Sequence, residues 1–240
     1  MSRRYWTSWR WIFLLLCAGI LLAQWPVPTR YGINYRWTSK KIPLYEKSMH
    51  FLDRHIQTRR LAGEITRGAL NDEEKVLQIF SWVTENIRPI PAGFPVLDDH
   101  ILYTILRGYG GSDQRTEAFA LLASYSGSPA MGTILRAPGS NRGLHVALVR
   151  IHGRIFLFDV LNRLLFKDSI GKLIPLEDLV KDPTIVANAS NGLHLDGVAY
   201  KSYFLQLNEL RPTFYRMEDQ KPWFRLRNEL RNLLWKPREE

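Results

Sequence analysis

Apolar residues recur at helical spacing at Val76, Ile79, Phe80, Val83 and Ile87, a single stripe that predicts a helix lying on a core. Asn71 stands where an N-cap belongs, Glu74 completes a capping-box-like arrangement three residues on, and Arg88-Pro89 ends the run. A second pattern differs in kind. From Asp113 to Tyr125, Ala and Leu occupy every side of a helical projection, which predicts a helix buried all round. A tight glycine turn, Arg107-Gly108-Tyr109-Gly110-Gly111, precedes it; Gly127 and Pro129 terminate it. Lys47 to Arg60 reads as a further helix, Pro89 to Pro95 as a loop. Met131 to Arg136, Leu144 to Ile151 and Ile155 to Asp159 read as strands.

The last two strands form a hairpin whose register follows from its turn. Gly153 is the residue there that readily takes positive φ. With Gly153 third in a three-residue loop, Ile151-His152-Gly153, Arg150 opposes Arg154 and His145 falls opposite Asp159 on one face. A two-residue loop at His152-Gly153 would instead put His145 and Asp159 on opposite faces.

At the N-terminus, Trp11 to Ala23 is an unbroken apolar run of thirteen residues, flanked by Arg3, Arg4 and Arg10. A spanning helix usually needs about 20 residues. Counting residues 5–27 reaches that length, with Trp6, Trp9, Trp11 and Trp25 as interfacial anchors. The expectation is an uncleaved single-pass anchor in the cytoplasmic membrane, with the following domain outside; a cleaved signal segment is the alternative. Residues 26–45 read as a basic extended connector, 46–215 as the folded domain and 216–240 as a basic amphipathic tail. In that tail Leu226, Leu230, Leu233 and Leu234 face away from Arg225, Arg227 and Arg231.

Charge refines this picture. The net charge is +10, yet seven of the basic residues lie in the first 45, with no acid before Glu46. That distribution fits a membrane flank better than a nucleic-acid groove, and no recognition helix, zinc finger or aromatic RNA-binding signature is present. Cys17 is the only cysteine, so the domain holds neither a disulfide nor a thiol nucleophile. Nothing in the spacing of His100, His152, His194 or Asp196 suggests a metal site, and no cofactor motif occurs.

Candidate chemistry gathers on Ser112, His145 and Asp159. Ser112 opens the buried helix, where unpaired backbone N–H groups favour developing negative charge. His145 on one strand could serve as base and Asp159 on the next as its orienter. The stretches GYGGSDQRTEAFALLASYSGSPA and LHVALVRIHGRIFLFDV, with EKVLQIFSWVTENIRP upstream, resemble the transglutaminase-like superfamily over roughly residues 70–180. The resemblance implies an α+β, papain-like core, a central helix packed on an antiparallel sheet. It also implies a Cys–His–Asp triad for acyl transfer, with Ser112 in the cysteine position, His145 as base and Asp159 as orienter.

Serine in that position changes the chemistry. A cysteine beside an imidazole ionises near neutral pH, because its ordinary pKa is about 8.5. A serine needs concerted proton removal by a well-placed base and a strong oxyanion hole. Two readings follow. In one, the chain is a non-catalytic relative whose groove binds a peptide, protein or envelope-polymer partner. In the other, Ser112, His145 and Asp159 form a serine-dependent hydrolase or acyltransferase. The plain structural alternative for Ser112 is a helix N-cap.

Overall fold

A computed structural model describes residues 3–31, 38–97, 100–138 and 143–234. The chain divides into two compact units, residues 1–54 with 98–100 and residues 55–97 with 101–240.

The first unit opens with helix α1 (Arg3–Ala23). Strands β1 (Pro26–Tyr31) and β2 (Thr38–Pro43) then pair antiparallel, Thr29 opposite Lys40, where the composition predicted a plain extended connector. Helix α2 (Leu44–Ile65) follows, with residues 44–54 in this unit and 55–65 in the second. The expected membrane-spanning helix, and the single-pass placement resting on it, are overturned: among the described residues no helix is long and apolar enough to cross a membrane. The geometry explains why. The unbroken apolar run covers only Trp11 to Ala23, about 20 Å of helix against a hydrocarbon core of about 30 Å. Gln24-Trp25-Pro26 then turns the chain into β1.

In the second unit, α3 (Asp72–Asn86) forms as its stripe dictates. The Asn71 side chain accepts from the Glu74 N–H at 2.8 Å, and Val76, Ile79, Phe80, Val83 and Ile87 are all buried. A short helix α4 (Ile101–Arg107) leads into the glycine turn, and α5 (Ser112–Tyr125) runs through the core with every residue from Ala118 to Ala123 buried. Strands β3 (Ala130–Arg136), β4 (Gly143–Ile151), β5 (Arg154–Asp159) and β6 (Leu164–Leu165) form one antiparallel sheet in that order.

The sheet has two covered faces. On one, Phe158 of β5 meets Phe119 of α5 at 5.1 Å and Phe80 of α3 at 5.7 Å between ring centroids. On the other, Leu135, Leu144, Val146, Leu148 and Leu157 pack in a cluster with residues of α6 (Leu176–Lys181), α7 (Thr184–Ser190) and the 3₁₀ turn Tyr200–Phe204. The chain closes with α8 (Tyr215–Glu218), which packs on α5 and β3, and α9 (Pro222–Leu234). On α9 the apolar Trp223, Phe224, Leu226 and Leu230 are exposed. Trp235 and the side chains of Leu233 and Leu234 lie outside the described residues.

Candidate functional site

The glycine turn before α5 is held by Arg88. The Arg88 N–H donates to the Gly108 carbonyl at 2.8 Å, and the Gly110 N–H donates to the Arg88 carbonyl at 3.0 Å. Gly108 sits at φ +70°, and a Cβ on Gly110 would lie 2.7 Å from Thr104 Cγ2, so both positions require glycine. Gly111, not Ser112, occupies the N-cap. Its N–H donates to Gln114 Oε1 at 3.0 Å, while Gln114 Nε2 donates to the Leu97 carbonyl at 2.6 Å. Ser112 is therefore the first residue of α5, half-buried, at the end of the helix where the partial positive charge lies.

His145 reaches the same side of the sheet. It stands opposite Ile134 of β3. Two residues along β4, Ala147 pairs with Phe158, whose ring touches α5, so His145 shares the α5 face. The imidazole is half-buried. Burial pushes its pKa below the ordinary value, and the negative charge of Asp113 opposes that shift. One helical turn beyond Asp113, Glu117 accepts from Arg216 Nη1 at 3.0 Å through Oε1. Its Oε2 is buried and has no partner among the described residues. Burial raises the Glu117 pKa; Arg216 pulls it down and Asp113 pushes it up.

Asp159 does not join them. The hairpin closes with Ile151 opposite Arg154 and Arg150 opposite Ile155, a two-residue loop of His152 and Gly153. Both loop residues have positive φ, 48° and 81°, as a type I′ turn requires. The three-residue loop expected from the sequence is not formed, and the one-residue slip moves Asp159 to the face away from His145. There it is buried and committed: Oδ1 accepts from the Asn162 N–H at 2.9 Å, and Oδ2 accepts from Asn162 Nδ2 and from the Tyr200 hydroxyl, each at 2.7 Å. Of the three candidate residues, Ser112 and His145 lie toward the α5 face, and Asp159 lies with the opposite cluster.

Asp113, Gln114 and Glu117 shape the site on the α5 side, and sequence reasoning gave them no individual roles. Asp113 and Gln114 lie inside the motif that carries the family resemblance, so the signal was present for them. Asn162 also had one, because Asp159-x-x-Asn162 is a turn-forming spacing. Nothing in the sequence links Tyr200 to Asp159. Among the described residues no three His, Cys, Asp or Glu side chains gather as a metal site would need. His152 lies in the hairpin turn and is exposed, and His194 Nδ1 is 2.7 Å from the Gly192 carbonyl.

The α+β core, one buried helix laid on an antiparallel sheet, is compatible with a papain-like arrangement. No family model matches the sequence, and no curated protein matches it. Two solved structures resemble part of this chain. One is a candidate cysteine protease from Cytophaga hutchinsonii, with TM-score 0.39 and 19% identity, covering 50% of this chain and 40% of that one. The other is a candidate protease from Parabacteroides distasonis, with TM-score 0.35 and 14% identity, covering 54% of this chain and 35% of that one. The chain thus spans less than half the length of either protein.

Proposed function

We propose that this chain is a non-catalytic relative of the transglutaminase-like acyl-transfer enzymes, and that the groove between the start of α5 and His145 binds a peptide or protein partner. One observation carries this reading: Asp159 is turned away from His145 and tied to Tyr200 and Asn162. A serine hydroxyl is a weak nucleophile unless its base is oriented by a third group. In serine triads, disabling the orienting acid costs about 10⁴-fold in turnover. Here the thiol is replaced by the less acidic hydroxyl of Ser112, and Asp159 faces the wrong way to orient His145. Both changes act against catalysis. What remains is a helix N-terminus and a half-buried, neutral imidazole, which suit recognition.

A fluorophosphonate probe on the purified chain tests this. The expected result is labelling no greater than in Ser112→Ala. Labelling that is strong in the native chain and lost in Ser112→Ala would sink the non-catalytic reading and favour the serine-dependent enzyme. In the opposite direction, Ser112→Cys is expected to create a thiol open to alkylation. An inert thiol there would count against a formed groove.

A further inference from the structure

The loop before α4 exposes three apolar side chains within four residues. Phe94 is 55% exposed, Val96 71% and Leu97 40%. Loops ordinarily present polar side chains, and clustered exposed apolar residues mark recognition sites. This loop is also fastened to the helix that carries Ser112. Gln114 binds the Leu97 carbonyl with one end of its amide and the Gly111 N–H with the other. Phe94 meets Tyr109 edge-on, with ring centroids 5.8 Å apart and planes at 83°. The Arg107 guanidinium covers the Tyr109 ring at 5.2 Å, which fixes that ring from a further side. Tyr109 lies three residues before Ser112. The apolar wall and the start of α5 are thus one braced structure.

We infer that Phe94 and Tyr109, with Val96 and Leu97, form the specificity wall of the Ser112 site and receive an apolar, preferably aromatic, side chain of the bound peptide. This rests on the reading of that site as a binding groove and adds the chemistry of its occupant. A charged polymer would leave the three apolar side chains in water; an aromatic side chain covers them and adds edge-to-face contact with Phe94. The wall requires no change in the glycine turn, which is already held by Arg88.

The experiment uses the full chain carrying Cys17→Ser and Ser112→Cys, so that a single thiol is present. Its alkylation is timed with iodoacetamide and with N-benzyl iodoacetamide; in each case the thiolate attacks the CH₂ carbon and iodide leaves. The benzyl-to-plain rate ratio, divided by the same ratio for glutathione, reports aromatic recognition beside position 112. The expected value is about tenfold above the free thiol. Adding Phe94→Ser is expected to return the ratio to that of the free thiol, and Phe94→Leu to restore part of it. Ile170→Ser removes a side chain 85% exposed on the loop after β6 and is expected to leave the ratio raised. Thermal unfolding of each variant confirms that it is folded. A parent ratio equal to that of glutathione, or a raised ratio indifferent to Phe94→Ser, overturns the inference while leaving the groove intact. A thiol that reacts with neither reagent overturns the groove reading itself, and this inference with it.

Discussion

The Tyr200 hydroxyl donates to Asp159 Oδ2 at 2.7 Å between two buried side chains 41 residues apart. That contact anchors the end of β5 to the 3₁₀ turn Tyr200–Phe204, and it is the clearest reason that Asp159 serves the fold and not His145. Removing the hydroxyl leaves a buried carboxylate short of one donor. Tyr200→Phe is expected to cost about 1–3 kcal/mol, read from guanidinium unfolding at pH 7. A loss within measurement error would show that Asn162 alone satisfies Asp159.

The same contact predicts an alkaline effect. Burial, then the charge of Asp159 and the hydrogen bond to it, push the Tyr200 pKa far above its ordinary 10.0. In the unfolded chain the phenol ionises near that ordinary value; in the folded chain it stays protonated. The folded state then binds the extra proton, so the contribution is complete below pH 10.0 and is lost as pH rises above it. Urea unfolding between about pH 8 and 11 is expected to show a steeper decline for the native chain than for Tyr200→Phe. Parallel curves would contradict this.

What the sequence disclosed, and what it withheld, divides along range. The α3 stripe, the Asn71 cap and the all-round burial of α5 are local patterns, and each is present. The anchor expectation relied on lengthening a thirteen-residue apolar run with flanking Trp and Tyr, but flanking aromatics do not lengthen an apolar stretch. The hairpin depended on one residue. Assigning positive φ to Gly153 alone gave a three-residue loop, whereas His152 also adopts it, at 48°. That one-residue difference relocates Asp159. The Tyr200 partner joins distant parts of the chain through packing, which no periodicity reports.

The turn itself can be tested by improving it. Type I′ turns favour Asn-Gly, because Asn tolerates positive φ at lower cost than His. His152 is exposed and sits at φ 48° with Gly153 following at 81°. His152→Asn is expected to stabilise the chain by about 0.5 kcal/mol, and Gly153→Ala to destabilise it by about 1 kcal/mol. If the loop held three residues, with His152 at negative φ, His152→Asn would bring no gain in a denaturant melt.

His145 offers a direct reading of the site. Burial lowers its pKa from 6.5 and Asp113 partly offsets the shift. Its ring is therefore neutral at pH 7, and its contribution to stability is present above 6.5 and lost as pH falls through the lowered folded value. NMR titration of the imidazole is expected to give a midpoint below 6.5, lowered further by Asp113→Asn. A midpoint above 6.5 would mean that a carboxylate, Asp159 or another, pairs with His145 after all.

Gln114 is where fold and candidate site meet, so its variants separate their contributions. Its amide is buried and spans the Gly111 N–H and the Leu97 carbonyl. Gln114→Ala removes both bonds and is expected to cost about 2–3 kcal/mol. Gln114→Glu keeps an acceptor for the Gly111 N–H and places a carboxylate at the positive end of α5, but it has no donor for Leu97. Hydrogen exchange at Gly111 is thus expected to accelerate in Gln114→Ala and to stay slow in Gln114→Glu. Both substitutions release the loop bearing Phe94, so amides of residues 93–97 are expected to lose protection in each. Unchanged exchange at Gly111 in Gln114→Ala would mean that another acceptor holds the start of α5, and that the loop and Ser112 are not braced through this side chain.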